Sequence, residues 1–260
     1  MRAIWNGAIG FGLVNIPIKL YSATESSTLD LDMLDKKDLN NIRYKRVNEE
    51  TGKEVAWENI VKGYKLDDKY IVLEDEDFEA ASPDKSKIIS IMQFVKEAEI
   101  DSALFETPYF LEPQKNGEAA YNLLLKALLK TKMGGIGSFV MREREILALI
   151  RPYDNKMLML NRMRYPEELR SYADLNIPIR KATPKEAELK LAESLIKSLA
   201  KPFDPKDYTD TYNEKLLKII KQKAKGKKVK ISAAKEPDAK ASDLMAMLKA
   251  SLEKGKKNAG

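Results

Sequence analysis

The stretch MRAIWNGAIGFGLVNIPIKLYSATE, residues 1–25, decides the fold. It opens with an arginine and a long apolar run, as an export signal would. A signal peptide needs an unbroken apolar core and a small-residue cleavage site. This run is broken by Asn6, Gly7, Asn15, Pro17 and Lys19. The same breaks exclude a membrane span, which takes about 20 apolar residues in succession. The pattern predicts two strand pieces instead, Arg2–Trp5 and Phe11–Tyr21, joined by a corner rich in glycine. Gly7, Gly10 and Gly12 supply the turn and close backbone packing. Pro17 has no N–H to give and is expected at an edge or bulge of the second strand. The stretch therefore belongs to a folded β scaffold.

The chain of 260 residues suits one large domain, alone or with an appendage, and its 43% hydrophobic content suffices for a core. Cysteine and histidine are both absent. This removes disulfides, thiol nucleophiles, Ser-His-Asp and Cys-His catalysis, and zinc sites built on those ligands. A cysteine-free chain suits a reducing cytoplasm.

The +6 net charge is unevenly spread. From Asn213 to Gly260 there are 14 lysines against 5 acidic residues, which leaves 32 basic and 35 acidic residues in the first 212. A Lys-rich tail on a near-neutral body suits a polyanion partner, most often nucleic acid, or a merely solubilising tail.

Strand signals dominate to about residue 182. They include Asn40–Val47, Tyr70–Leu73, Lys87–Val95, Thr107–Pro113 and a meander of three strands between 135 and 165. Thr51-Gly52 marks a turn. One helix interrupts, Gly117–Lys132, with Ala120, Leu124, Ala127 and Leu128 at helical spacing. Many short strands with one inserted helix favour a barrel over a parallel sheet. Near Thr183 the pattern turns helical. TPKE offers Thr183 as N-cap, Pro184 at the first position and Glu186 to close a capping box. A second helix is expected from Lys206 to Lys225, ended by Gly226, then a basic linker carrying Lys227, Lys228 and Lys230. A last short helix, Ala241–Lys254, sets Leu244, Met245, Leu248 and Leu252 on one face. That face suits a partner's groove or the protein's own body.

Motifs for chemistry are weak. No P-loop occurs, and the GGIG of Gly134–Gly137 reads as a way out of the helix into a strand. Ser194 and Lys197 match Ser-x-x-Lys without the companion motifs of such enzymes. The acidic run Glu74–Glu79 reads better as a helix's first turn than as a magnesium site. The basic pairs are more informative. On strands, Arg43 with Lys45, Arg142 with Arg144, and Arg162 with Arg164 would each share a face, Arg46 lying opposite. Three such pairs can line a phosphate-gripping surface that reads no bases, or simply pair with Glu143, Glu145 and Glu168.

The order of these pieces resembles bacterial Ku. The blocks that carry the resemblance are residues 1–25, IRYKRVNEETGKEVAWENIVKGY, YIVLEDEDFEAASP, PYFLEP, FVMREREILALIRPY and FDPKDYTDTYNEKL. It runs to about residue 225 and more loosely to the end. The resemblance implies a mixed β/α fold: a Ku-type β-barrel core with a ring-forming insertion, then a helical C-terminal arm. It implies a homodimeric ring that threads onto double-stranded DNA ends without regard to sequence, and that recruits and stimulates an ATP-dependent DNA ligase in non-homologous end joining. Such a protein is not an enzyme, needs no cofactor or metal, and works in the cytoplasm at the nucleoid, away from membranes. SDLMAMLKASLEKGKK resembles the family's ligase-recruiting segment, and its Lys-rich extension is nearly lacking here. The family's usual histidines between Leu29 and Val47 are also missing, where Asp30, Asp32, Asp35 and Asp38 stand instead; both departures imply weaker or more salt-sensitive binding.

On this reading residues 1–182 form the barrel core, 183–226 a helical arm, and 227–260 a basic linker with the ligase-recruiting helix. Candidate phosphate contacts are Arg43, Lys45, Arg46, Lys62, Arg142, Arg144, Arg162 and Arg164, with Lys227, Lys228 and Lys230 in the tail. Leu244, Met245, Leu248 and Leu252 are the candidate ligase contacts. Two rivals are a metal-dependent nuclease using the 74–79 carboxylates and a general nucleoid or RNA-binding protein acting through its Lys-rich tail.

Overall fold

The computed structural model describes residues 1–81, 86–142, 144–177 and 185–227, together with Leu248 and Ser251. These fall into two compact units, Met1–Ser26 with Asp30–Ser171, and Ser27–Leu29 with the chain from Tyr172 onward.

The first unit is a closed seven-stranded barrel. Its strands are β1 (Trp5–Phe11), β2 (Val14–Ser22), β5 (Ile88–Val95), β6 (Phe105–Pro113), β7 (Gly134–Met141), β8 (Arg144–Tyr153) and β9 (Met157–Met163). Around the barrel the order is β1-β2-β6-β9-β8-β7-β5. All neighbours are antiparallel except β1 and β5, whose parallel pairing covers only Ala8–Gly10 against Ile88–Ser90. Ile9, Ile16, Ile18, Leu20, Ile89, Leu111, Ile150, Leu158 and Leu160 fill the interior, all fully buried. Each contributes roughly 1.5–3 kcal/mol relative to exposure.

The opening strands differ from the expected layout. β1 runs Trp5–Phe11 through the glycines, and the corner is Gly12-Leu13, where Gly12 has φ +58°. Gly7 is needed inside the strand, because a Cβ there would strike the Trp5 indole and the Lys87 carbonyl oxygen. Pro17 opposes Ala8, and the β2–β6 ladder begins one residue later at Ile18↔Pro113. Its missing N–H therefore costs no ladder bond, and its carbonyl accepts from Gln114 N at 2.9 Å.

Helix α2 (Glu118–Thr131) covers the barrel. Its buried face is Tyr121, Leu124, Leu125 and Leu128, so Tyr121 and Leu125 take places that helical spacing assigned to Ala120 and Ala127. The Tyr121 hydroxyl explains the rotation. It donates to Leu111 O and accepts from Leu158 N, each at 2.7 Å, tying α2 to β6 and β9. The chain leaves through Lys132 at φ 56° and enters β7. Gly134–Gly137 lies buried within β7, where a Cβ at Gly134 would come within 2.6 Å of Leu149 Cδ1. The glycines serve packing there.

Between β2 and β5 the chain forms a long insertion. It holds the hairpin β3 (Lys62–Leu66) and β4 (Lys69–Leu73), turned at Asp67 and Asp68, both at positive φ, and helix α1 (Asp75–Ala81). The strand expected over Asn40–Val47 is absent. Only isolated bridges form there, Leu34↔Asn41 and Val47↔Glu54. Among the described residues no strand runs alongside, and the Asn48 carboxamide, accepting from Glu50 N and Thr51 N, turns the chain back at Thr51-Gly52.

In the second unit, α3 spans Glu186–Leu199 and α4 spans Thr211–Ala224. Lys185 stands at the N-cap of α3, and its N–H donates to Glu188 at 3.1 Å, a role expected of Glu186; Thr183 lies outside the described residues. α4 starts five residues later than Lys206. Pro205–Asp207 forms a separate 3-10 turn, and Asp210 caps the helix by accepting from Tyr212 N and Asn213 N. Gly226 follows at φ +70°. No described helix is long and apolar enough to cross a membrane.

Candidate nucleic-acid interface

The barrel brings three of the candidate arginines together. Arg142, Arg144 and Arg162 line one cavity of about 460 Å³, with Tyr109, Tyr165, Glu145 and Glu168. The hairpin between β7 and β8 makes this possible. Met141 pairs with Arg144, so the connection is two residues long, and Arg142 stands in it at φ 52° rather than on a strand. A tight turn of this kind demands positive φ and holds the side chain outward. Arg142 and Arg144 are exposed, and neither forms an ion pair with a described residue. Arg162 projects from β9, half-buried, and its Nε pairs with Glu106 on β6 at 2.8 Å.

Arg164 is differently employed. It lies just past β9, and its guanidinium donates to the carbonyls of Phe105 at 2.9 Å and Ala103 at 3.3 Å. These bonds fix the end of β9 against the chain entering β6. Arg162 and Arg164 thus do not form the shared-face pair that strand alternation predicts, since the strand stops between them.

Four candidates sit in the insertion, away from any strand but β3. Arg43 is exposed. Lys45 pairs with Glu54 at 2.6 Å across the turn, and the Arg46 guanidinium lies 4.4 Å from the Trp57 ring centre. Lys62 on β3 lies 4.4 Å from the Phe78 ring centre. Such stacking holds a cation in place without neutralising it. Lys227 is described and exposed; Lys228 and Lys230 lie outside the described residues. So do Leu244, Met245 and Leu252, whereas Leu248 is helical and half-buried.

Tyr109 and Tyr165 are the residues that sequence reading misses. The signal was the aromatic interleaved with arginines in NRMRYP. The Tyr165 phenol is pushed up by burial, then by the carboxylates of Glu145, Glu167 and Glu168. The cavity therefore carries both signs of charge, and among the described residues Arg142 and Arg144 form no ion pair. The acidic run Glu74–Glu79 gives α1 its acidic first turn, where the Asp77 carboxylate accepts from Glu74 N at 2.9 Å. Among the described residues no group of three or more carboxylates is placed to hold a metal ion.

The structure is thus a closed β-barrel with a long insertion, and three arginines and two glutamates share one cavity on it. Its family is plain from comparison. Residues 10–191 match the family model of the Ku70/Ku80 beta-barrel domain. A "Non-homologous end joining protein Ku" from Coxiella burnetii is 39% identical, covering 99% of this chain and 97% of its own. A protein of the same name from Archaeoglobus fulgidus is 40% identical, covering 97% and 99%. The chain belongs to the Ku family.

Proposed function

We propose that this protein binds double-stranded DNA ends without sequence preference, as a ring-shaped homodimer, and that it serves non-homologous end joining by recruiting and stimulating an ATP-dependent DNA ligase. It acts as a binding scaffold, not as an enzyme, in the cytoplasm at the nucleoid. The observation that carries the DNA reading is the convergence of Arg142, Arg144 and Arg162 on one cavity, with Arg142 and Arg144 forming no ion pair among the described residues. Guanidinium groups of this kind suit phosphates, which position a duplex without reading it. Arg43, Lys45, Arg46 and Lys62 would extend the contact from the insertion, and the Lys-rich chain from Lys227 would add to it.

The dimer reading rests on the insertion. Between Tyr21 and Ile88 no described residue is buried, yet Trp57, Val61 and Tyr64 are 65–70% exposed. A segment this long with no core of its own does not offset its ordering entropy. A second copy packed on these side chains supplies the missing burial and closes a ring.

The test compares linear duplex with a covalently closed minicircle of equal length in a gel shift. A ring loads on the linear form and scarcely on the circle. Equal binding to both removes the end-loading reading.

A further inference from the structure

The arginine cavity holds more than a phosphate track requires. Opposite charges line it without neutralising one another. Arg142 and Arg144 face the same cavity as Glu145, yet neither forms an ion pair with it or with any other described residue. Beneath this rim the floor is apolar and closed: Ile146 and Met163 are 4% and 5% exposed. Tyr109 is 8% exposed, and its hydroxyl makes no hydrogen bond to a described residue. Among the described residues no sealed side-chain polar atom lacks a partner, so this hydroxyl opens into the cavity. Tyr165 forms a further wall.

At about 460 Å³ the cavity falls within the range of small-ligand sites, about 300–1,000 Å³. The phosphates on the outside of a duplex engage only the arginines. They leave the apolar floor, the phenols and the Glu145 carboxylate idle. A nucleotide whose base is unpaired engages all of them. We infer that the cavity takes the unpaired nucleotide at a duplex end, an inference that rests on the binding of DNA ends. Its phosphate lies on Arg142 and Arg144, its base against Tyr165 and Met163, and the edge of the base on Glu145. A paired base stays in its stack, whereas an unpaired one leaves at little cost. A carboxylate accepts hydrogen bonds and donates none. It therefore suits guanine, whose N1–H and amino group are adjacent donors, over adenine, whose N1 sets a lone pair against it. The grip on the duplex stays blind to sequence, and the preference is confined to the last, unpaired nucleotide.

The test is a gel-shift competition with the full chain and linear duplexes that differ only in one unpaired nucleotide at each end. That nucleotide is deoxyguanosine, deoxyinosine or deoxyadenosine, on the 3′ strand in one set and on the 5′ strand in another, with a blunt duplex beside them. Deoxyinosine differs from deoxyguanosine only in lacking the amino group. In at least one set the guanine end should bind about fivefold tighter than the blunt end, as one stacked base does. It should bind about two- to tenfold tighter than the inosine end, as one hydrogen bond does. The adenine end should bind no tighter than the inosine end. Glu145 is exposed, so Glu145→Ala keeps the fold. This variant should erase the difference between guanine and inosine ends. Tyr165→Ala, or an excess of dGMP, should erase the advantage over the blunt end. Equal affinity for blunt and unpaired ends in both sets overturns the inference. So does a guanine–inosine difference that survives Glu145→Ala, including one that survives while all ends bind more tightly, since Glu145 then acts through bulk charge alone. If dGMP binds saturably while blunt and unpaired ends stay equal, the ligand is a free nucleotide and the assignment to a strand end falls. None of these outcomes touches the choice between linear duplex and minicircle, which is read on blunt ends and decides the end-loading reading separately.

Discussion

Arg162 Nε and Glu106 Oε2 lie 2.8 Å apart, joining β9 to β6 at the wall of the arginine cavity. The pair is half-exposed, so its own contribution to stability is small. Its effect on ligand binding is larger, since the carboxylate neutralises a cation that faces the proposed phosphate track. Glu106→Gln keeps the shape and a hydrogen-bond acceptor while removing the charge. Duplex binding should tighten several-fold, and the slope of log K against log salt should steepen by about 0.9 for each phosphate gained. Unchanged affinity and slope would mean that Arg162 is structural only.

Among the described residues Arg142 and Arg144 have no such partner, so the reverse change is expected of them. Arg142→Ala with Arg144→Ala should weaken duplex binding uniformly across sequences and flatten the salt slope by about one per lost phosphate contact. If a dimer neutralises about six phosphates, the unmodified protein should show a slope of roughly −5. Filter binding from low to moderate salt reads both values. A slope near zero removes the electrostatic account altogether. Arg164→Ala should behave otherwise, lowering stability with little change in slope, because its guanidinium is engaged by the Phe105 and Ala103 carbonyls.

The tail separates the ring reading from that of a general nucleoid or RNA-binding protein. If the ring is the binding element, a chain ending at Lys225 keeps its preference for linear duplex at reduced affinity. If the lysines beyond do the work, that chain loses binding. In the full chain, Leu248→Asp with Leu252→Asp should abolish ligase stimulation and spare the gel shift. Loss of folding, read by circular dichroism, would instead make those leucines part of the body.

What the sequence makes legible follows from where the information lies. Strands β7 to β9 are near-continuous apolar runs with consecutive buried residues at 134–137, 148–150 and 158–161, so they and α2 stand out in local pattern. The insertion does not. Arg43 to Arg46 alternate like a strand, but no described strand runs beside them, and pairing is not written in a single segment. The arginine cavity was legible only in part for the same reason. Arg142 and Arg144 are close in sequence and reach one cavity, but by a turn at positive φ, not by a shared strand face. Arg162 joins them through the β8–β9 register, in which Ala148 opposes Arg162. Tyr109 enters from β6, whose place beside β9 no local pattern announces.

Tyr121 links the fold to pH. Its hydroxyl is buried and bonded to Leu111 O and Leu158 N. Burial pushes the phenol above its ordinary value, and the Leu158 N–H offsets part of that rise. The folded state therefore favours the neutral phenol. Its contribution is complete below the ordinary phenol range near 10 and is lost as pH climbs through the raised value. Tyr121→Phe removes the hydroxyl and strands a buried N–H and carbonyl, at a cost of about 1–3 kcal/mol each. Thermal denaturation at neutral pH should show a destabilised variant. Between neutral and strongly alkaline pH, the variant should lose less further stability than the parent. If the two lose stability in parallel above pH 10, the alkaline transition belongs to other groups and Tyr121 acts only as a tie between α2 and the barrel.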